Sequence, residues 1–221
     1  MTTLAEDLAL LLVDPETGKP VVDGTAFDRV IGGALLLDLV GAGRVTVGGK
    51  GSKARVAATG GATGNPLLDA AVERLGTKER RASSAVERLS SKLRAATFEQ
   101  LVAAGIVVGE PGRILGLFPT TTWRFTKPEP RASLQSGVAA VLTGKGEPDE
   151  RQAALVSLLY AVKAEHKVVD GPRRELRARA KEIAEGEWAG SAVSQAVQAV
   201  QATVMAAIVA STAAGSAASS S

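Results

Sequence analysis

The residues able to do chemistry in this chain are mostly cations. Between Glu73 and Arg94 there are seven basic and three acidic residues. Four of the basic ones, Arg81, Arg88, Lys92 and Arg94, lie in or beside a stretch that reads as one long helix, Ala85 to Ala104. Guanidinium forks and ammonium groups gathered on a surface can hold a phosphate or a carboxylate. A second local excess, Arg44, Lys50, Lys53 and Arg55, flanks GGKGSK without any acid. That glycine-rich connection joins two short strands and lacks the ordered spacing of a P-loop, so it reads as a hairpin loop. Directly after the basic helix comes LVAAGIVVGEPGRILGLFPTTTWRF, Leu101 to Phe125. A helix end, a Gly, an apolar run, a Pro-Gly turn and a second apolar run spell a hairpin, with Leu117, Phe118 and Trp123 expected near its tip. A basic helix joined to an apolar hairpin fits three roles: a winged domain on DNA, a surface that sits on anionic lipid, or a hairpin that only closes a core.

Other chemistries find little support. His166, the single histidine, sits in KAEHKV with no nucleophile motif nearby, and there is no Cys. Disulfides, thiolate metal sites and multi-histidine metal sites are therefore excluded. HExxH, a strand-borne GxGxxG and a Walker A sequence are all missing. The adjacent acids Glu6 and Asp7, and Glu147, Asp149 and Glu150, fall at helix starts, where capping and the helix dipole account for them. The expectation is a non-enzymatic protein with no cofactor and no metal. Aromatics make up only 3% of the chain, too few to stack single-stranded nucleic acid. Duplex DNA stays open, because Arg88, Ser91, Lys92, Arg94 and Gln100 could read bases if the helix entered a groove.

Helices must position these groups. Hydrophobic residues are 45% of the 221, enough for a core built from Leu, Val, Ile and Ala. Leucine spacing predicts helices over Leu4 to Val13 and Thr25 to Val40. Short strands are expected at Arg44 to Val47 and Ala54 to Thr59. Asn65 and Pro66 mark the start of another helix as N-cap and first turn. After the hairpin, KPEPRAS reads as a loop, followed by helices over Leu134 to Leu142, Arg151 to Ala164 and Gly171 to Glu187. The small-residue stretch Ala189 to Ala210 carries Gln195, Gln198 and Gln201, which suits a helix buried in protein better than one in lipid. The N-terminus lacks the basic start of a signal peptide, which predicts a cytoplasmic protein. A formal net charge of +3 permits an anionic partner. The expected fold is mainly α: a single-domain helical bundle over residues 1–210 around a buried central helix, with short β-hairpins and a disordered Ala/Ser-rich tail, 211–221. Abundant Ala, Val, Gly and Arg point to a bacterial source.

Several blocks, taken in order, resemble the Golgi phosphoprotein 3 family. They are LAEDLALLL at Leu4, IGGALLLDLVGAGRV at Ile31, TGNPLLDAAVERL at Thr63, KLRAATFEQLVAAGIV at Lys92 and DERQAALVSLLYA at Asp149. The resemblance implies a peripheral membrane protein on the inner face of the membrane. It implies binding of phosphatidylinositol 4-phosphate in a basic pocket, with a neighbouring apolar hairpin in the lipid. It also implies membrane-enzyme clients, as with the glycosyltransferases that eukaryotic members retain at the Golgi. In an ungapped reading the family's second-helix Trp and Arg fall on Asp23 and Gly32, and its two later arginines fall on Ser91 and Arg94. Arg94 is the match. Lys92, Arg88, Arg81 and Arg44 are the substitutes that charge alone offers. Leu117, Phe118 and Trp123 are the membrane-inserting set.

Overall fold

A long apolar helix makes the centre. In this computed structural model, which describes residues 2–49, 51–114, 118–186 and 196–206, α1 spans Leu4–Leu11 and α2 spans Gly24–Gly41. The stretch of α2 from Val30 to Leu37 is buried on every side, the signature of a helix enclosed by others. Around it pack α1, α3 (Pro66–Leu75), α4 (Ala82–Ser90), α5 (Leu93–Ala103) and α7 (Glu150–Ala161). Farther out lie α6 (Glu129–Leu142), the short α8 (Glu165–Val168) and α9 (Arg173–Glu185). Residues 196–206 are helical, and their Ala196, Val197, Ala199, Val200 and Val204 join the same core. Among the described residues one core cluster holds side chains from Leu4 to Val204, so the single-domain, mainly α expectation holds. Among the described residues no helix is long and apolar enough to cross a membrane. The tail at 211–221 lies outside the described residues.

Local chemistry explains the helix starts. Thr3 and Glu6 form a reciprocal capping box on α1, and Asp149 and Gln152 form one on α7. Asn65 caps α3 with Pro66 in the first turn, as its sequence predicts. Helix α1 is buried throughout, including Glu6 and Asp7. Its first backbone amides, Leu4 N and Ala5 N, donate to the Asp38 carboxylate at 2.8 and 3.2 Å. Burial outweighs those bonds and pushes the Asp38 carboxyl up to about 7. Asp7 is held by Arg151 at 2.6 Å.

Two sheets complete the fold. β1 (Val45–Gly48), β2 (Arg55–Ala58) and β3 (Arg80–Arg81) form an antiparallel set in which Arg55 pairs with Arg81. β4 (Val107–Ile114) and β5 (Phe118–Phe125) form the expected hairpin, in register from Val107–Phe125 to Ile114–Phe118.

Three sequence expectations need correction. The two-residue β3 falls where only a charged loop was expected. Helix α6 starts at Glu129, inside the stretch read as a loop, because prolines are tolerated in a first turn, where the amide has no helical partner anyway. Most consequential, Ala85 to Ala104 is not one helix. α4 stops at Ser90, Ser91 is extended, and Lys92 takes a left-handed conformation at φ 58° before α5 begins. The Ser90 hydroxyl bonds back to the Val86 carbonyl at 2.7 Å, and Arg74 from α3 donates to the Leu89 and Ser91 carbonyls that the ended helix leaves open.

Candidate functional site

The break at Lys92 sets where Lys92 and Arg94 go relative to Arg88. Arg94 stands in the first turn of α5, which points it at the start of α2. Its Nε donates to Asp28 Oδ1 at 2.9 Å and its Nη2 to the Gly24 carbonyl at 2.8 Å. Its guanidinium lies 4.8 Å from the centre of the Phe27 ring. Phe27 stacks on Phe98 at 6.2 Å, and Phe98 stacks on Trp123 at 4.0 Å with ring planes 5° apart. One ladder of Arg, Phe, Phe and Trp therefore ties α5, α2 and β5 together.

The two ends of this ladder, Arg94 and Trp123, line an open groove of about 1200 Å³ beside the hairpin. Arg94 and Lys19 supply its positive charge, Gly24 and Val22 its floor near α2, and Thr120 to Trp123 its hairpin wall. The loop from Asp14 to Asp23 is fixed against that wall. Trp123 N donates to the Gly18 carbonyl at 2.9 Å. Gly18 has φ +65°, and a Cβ there would lie 2.8 Å from Trp123 backbone atoms, so the close approach needs glycine.

The other four basic residues are elsewhere. Arg88 Nε donates to the Arg74 carbonyl at 2.6 Å, which makes it part of the α3–α4 junction. Lys92 is exposed at the helix break, above a small apolar crevice of about 50 Å³ that Leu35, Leu67 and Leu93 help line. Arg81 sits on β3 and borders a different cavity of about 350 Å³ with Arg29, Glu87 and Thr203. Arg44 donates to the Ala62 carbonyl at 2.8 Å beside the β1–β2 sheet. The single basic pocket expected from Arg94, Lys92, Arg88, Arg81 and Arg44 does not form: of the five, only Arg94 lines the groove. The helix break parts Lys92 and Arg94 from Arg88, which a continuous helix would have kept together, while Arg81 and Arg44 sit at the small sheet. The same break undoes the recognition helix that a DNA-reading wing requires, because Arg88 and Arg94 stand on different helices with their guanidinium groups bonded to protein.

The hairpin set also needs correcting. Trp123 pairs with Gly109, five pairs from the Ile114–Phe118 end, and its ring is half-buried against Phe98. It anchors the base of the hairpin rather than its tip. Phe118 does lie at the far end, opposite Ile114, while Leu117 falls outside the described residues.

The positions matched to the family's other ligands have structural duties here. Asp23 caps α2 by accepting from Ala26 N at 2.9 Å. Ser91 ends α4. Gly32 faces α4 so closely that a Cβ would collide with Ser90 Oγ and lie 2.9 Å from the Val86 carbonyl oxygen, leaving no room for an arginine. Lys19, Asp28 and Thr120 to Thr122 were not singled out by the sequence. Asp28 and Arg94 are 66 residues apart, and no local pattern links them.

His166 lies on α8, half-buried. Burial and then the nearby charge of Arg173 hold its imidazole below the ordinary histidine range. Its neighbours Lys167 and Arg177 serve the fold: Lys167 Nζ donates to the Val21 carbonyl at 2.6 Å, and Arg177 pairs with buried Glu165 at 2.7 Å.

Compared with known families, residues 4–200 match the model of Golgi phosphoprotein 3 (GPP34). No curated protein matches the chain.

Proposed function

Because the chain belongs to the Golgi phosphoprotein 3 family, we propose that it is a non-enzymatic peripheral membrane protein that binds anionic lipid headgroups in the groove beside the β4–β5 hairpin. The observation that carries this reading is the placement of Arg94 and Lys19 on one open groove at the foot of a hairpin of eight-residue strands. A lipid phosphate in the groove would meet the Arg94 donors not engaged by Asp28 and Gly24, with the Lys19 ammonium across from it. The hairpin runs on past its Trp123 anchor, so its far end can reach the lipid while the groove stays at headgroup level.

Magnitudes favour a two-part attachment. A cation near an anionic leaflet contributes about 1 kcal/mol, so Lys19 and Arg94 alone would hold the protein only weakly. Stable attachment takes a second signal. In this reading Phe118 at the far end of the hairpin supplies it, together with Leu117, its apolar neighbour in sequence. In this reading the protein docks on the inner face of a bacterial membrane; its abundant Ala, Val, Gly and Arg support the bacterial source. The resemblance names phosphatidylinositol 4-phosphate as the family headgroup and membrane enzymes as the clients.

Vesicle flotation tests the proposal. Phosphatidylcholine vesicles carrying phosphatidylglycerol or phosphatidylinositol 4-phosphate should recruit the protein at low salt. Recruitment should fall with added salt and with Arg94→Ala or Lys19→Ala. Failure to float with any anionic vesicle at low salt refutes the reading.

A further inference from the structure

The cavity of about 350 Å³ between α2, the start of α4 and the helical residues 196–206 shares no lining residue with the groove beside the hairpin. Three unanswered features meet on it. The first is Thr203, which lines the cavity and is 6% exposed, yet its hydroxyl has no hydrogen-bond partner among the described residues. A buried helical hydroxyl elsewhere in the fold bonds back to the carbonyl four residues earlier, as Ser157 does to Ala153 at 2.7 Å. A polar group buried without a partner is costly, so the Thr203 hydroxyl is one that a ligand can satisfy.

The second feature is the start of α4. Arg81 stands in the N-cap place, and no side chain accepts from the first-turn amides, which have no acceptor within the helix either. Ser83, in that first turn, brings the open helix start to the cavity wall, where its amides and dipole favour an anion. The Arg81 guanidinium beside it forms no hydrogen bond or ion pair with any described residue. Its cross-strand neighbour Arg55 is neutralised by Glu79 at 3.1 Å.

The third feature is Glu87, one turn along α4 from Ser83 and on the same wall. Its carboxylate also has no ion pair among the described residues. Arg81 and Glu87 therefore line one cavity with opposite charges and do not pair with each other. Arg29, on the α2 wall, is already engaged, so the uncommitted charges are one cation and one anion. A simple anion here would meet Glu87, and a simple cation would meet Arg81 and the helix start. A ligand bearing both charges avoids each conflict.

We propose that this cavity is a second ligand site, separate from lipid docking, for a small zwitterion with one carboxylate and one ammonium group, as in an amino acid. The carboxylate takes the Arg81 guanidinium, the open start of α4 and the Thr203 hydroxyl, and the ammonium faces Glu87. Thr203 belongs to residues 196–206 while Arg81, Ser83 and Glu87 belong to β3 and α4, so an occupied site ties that last described helix to the bundle.

Amide chemical shifts of the full chain test this, titrated with L-alanine and γ-aminobutyrate as zwitterions and with propionate and propylamine as single-charge controls. At least one zwitterion should shift amides from Arg81 to Glu87 and around Thr203, with a Kd about fivefold or more below that of either control. Arg81→Gln and Glu87→Gln should each weaken that zwitterion about fivefold. Thr203→Val should weaken it about threefold. The same substitution should leave the urea midpoint at or above the parent's, since it deletes a hydroxyl that the fold leaves without a partner. Shifts with neither zwitterion overturn the assignment. So do propionate or propylamine binding as tightly as the zwitterions, Arg81→Gln or Glu87→Gln binding like the parent, or a Thr203→Val midpoint below the parent's.

Discussion

Trp123→Ala should destabilise the protein by about 2–3 kcal/mol, because the ring is part of the fold and not a lipid probe. A fully buried Trp cut to Ala costs about 3–5 kcal/mol. Trp123 is half-buried, which lowers that figure, but its stack on Phe98 at 4.0 Å and 5° is close and parallel, and aromatic pairs add about 0.5–1.5 kcal/mol beyond area. The loss should spread, because Phe98 carries Phe27 and Phe27 carries the Arg94 guanidinium. Trp123→Phe keeps a ring on Phe98 and should cost about 1 kcal/mol, since a smaller ring fills less of the same space. The backbone bond from residue 123 to the Gly18 carbonyl survives in both variants. Urea unfolding reads the difference as a lowered midpoint with an unchanged slope. In a Trp188→Phe background, Trp123 is the sole indole, and its emission should stay constant when anionic vesicles are added. A Trp123→Ala variant within about 0.5 kcal/mol of the parent, the range of an ordinary surface change, together with a vesicle-induced blue shift, would refute the anchoring role and restore Trp123 to the inserting set.

Other consequences follow from single residues. Asp38, raised from 3.8 to about 7 by burial, favours the fold when protonated. Its contribution is fully present below pH 3.8 and is lost as pH rises through 7, at up to about 1.4 kcal/mol per pH unit. Asp38→Asn should therefore flatten the urea midpoint between pH 4 and 7; a profile that keeps the parent's fall over that range would contradict the assignment. Lys92→Gly should raise stability by about 0.5 kcal/mol, the relief of a left-handed Lys less the entropy of Gly. It should leave vesicle binding unchanged; a loss of binding would return Lys92 to the headgroup site. Gly32→Arg, which restores the family arginine by position, should cost about 3 kcal/mol or more by forcing α2 and α4 apart. A thermal melt equal to the parent's would show that this helix contact is not as close as described.

What was legible in the sequence followed periodicity and caps. The leucine stripe of α1, the all-round apolar α2, the Asn65–Pro66 start of α3 and the hairpin from Val107 to Phe125 were readable because each rests on neighbours within a few residues. The helix break at Lys92 was hidden by the same rule. Leu89 and Leu93 are both buried, and their spacing of four keeps a helical stripe intact across a chain that leaves the helix between them. That concealment carried into the site, since a continuous helix would have kept Arg88, Lys92 and Arg94 together, and the break sends them to different neighbours. Arg94 was legible as a candidate and lines the groove, but its partner Asp28 and its groove-mate Lys19 come from a helix start and a turn far away in sequence. Trp123 read as a tip residue because the turn was set at Pro-Gly; the register instead carries both strands past it, to Ile114 and Phe118.

The most direct test of the account is backbone hydrogen exchange with and without phosphatidylglycerol vesicles. Docking through the groove predicts slowed exchange in two places: the Asp14–Asp23 loop that carries Lys19, and the hairpin from Gly109 to Thr122. Exchange in α9 and in the β1–β2 sheet beside Arg44 should not change. Protection confined to α9 or to the Arg44 sheet, with the hairpin and the Lys19 loop unaffected, would contradict it.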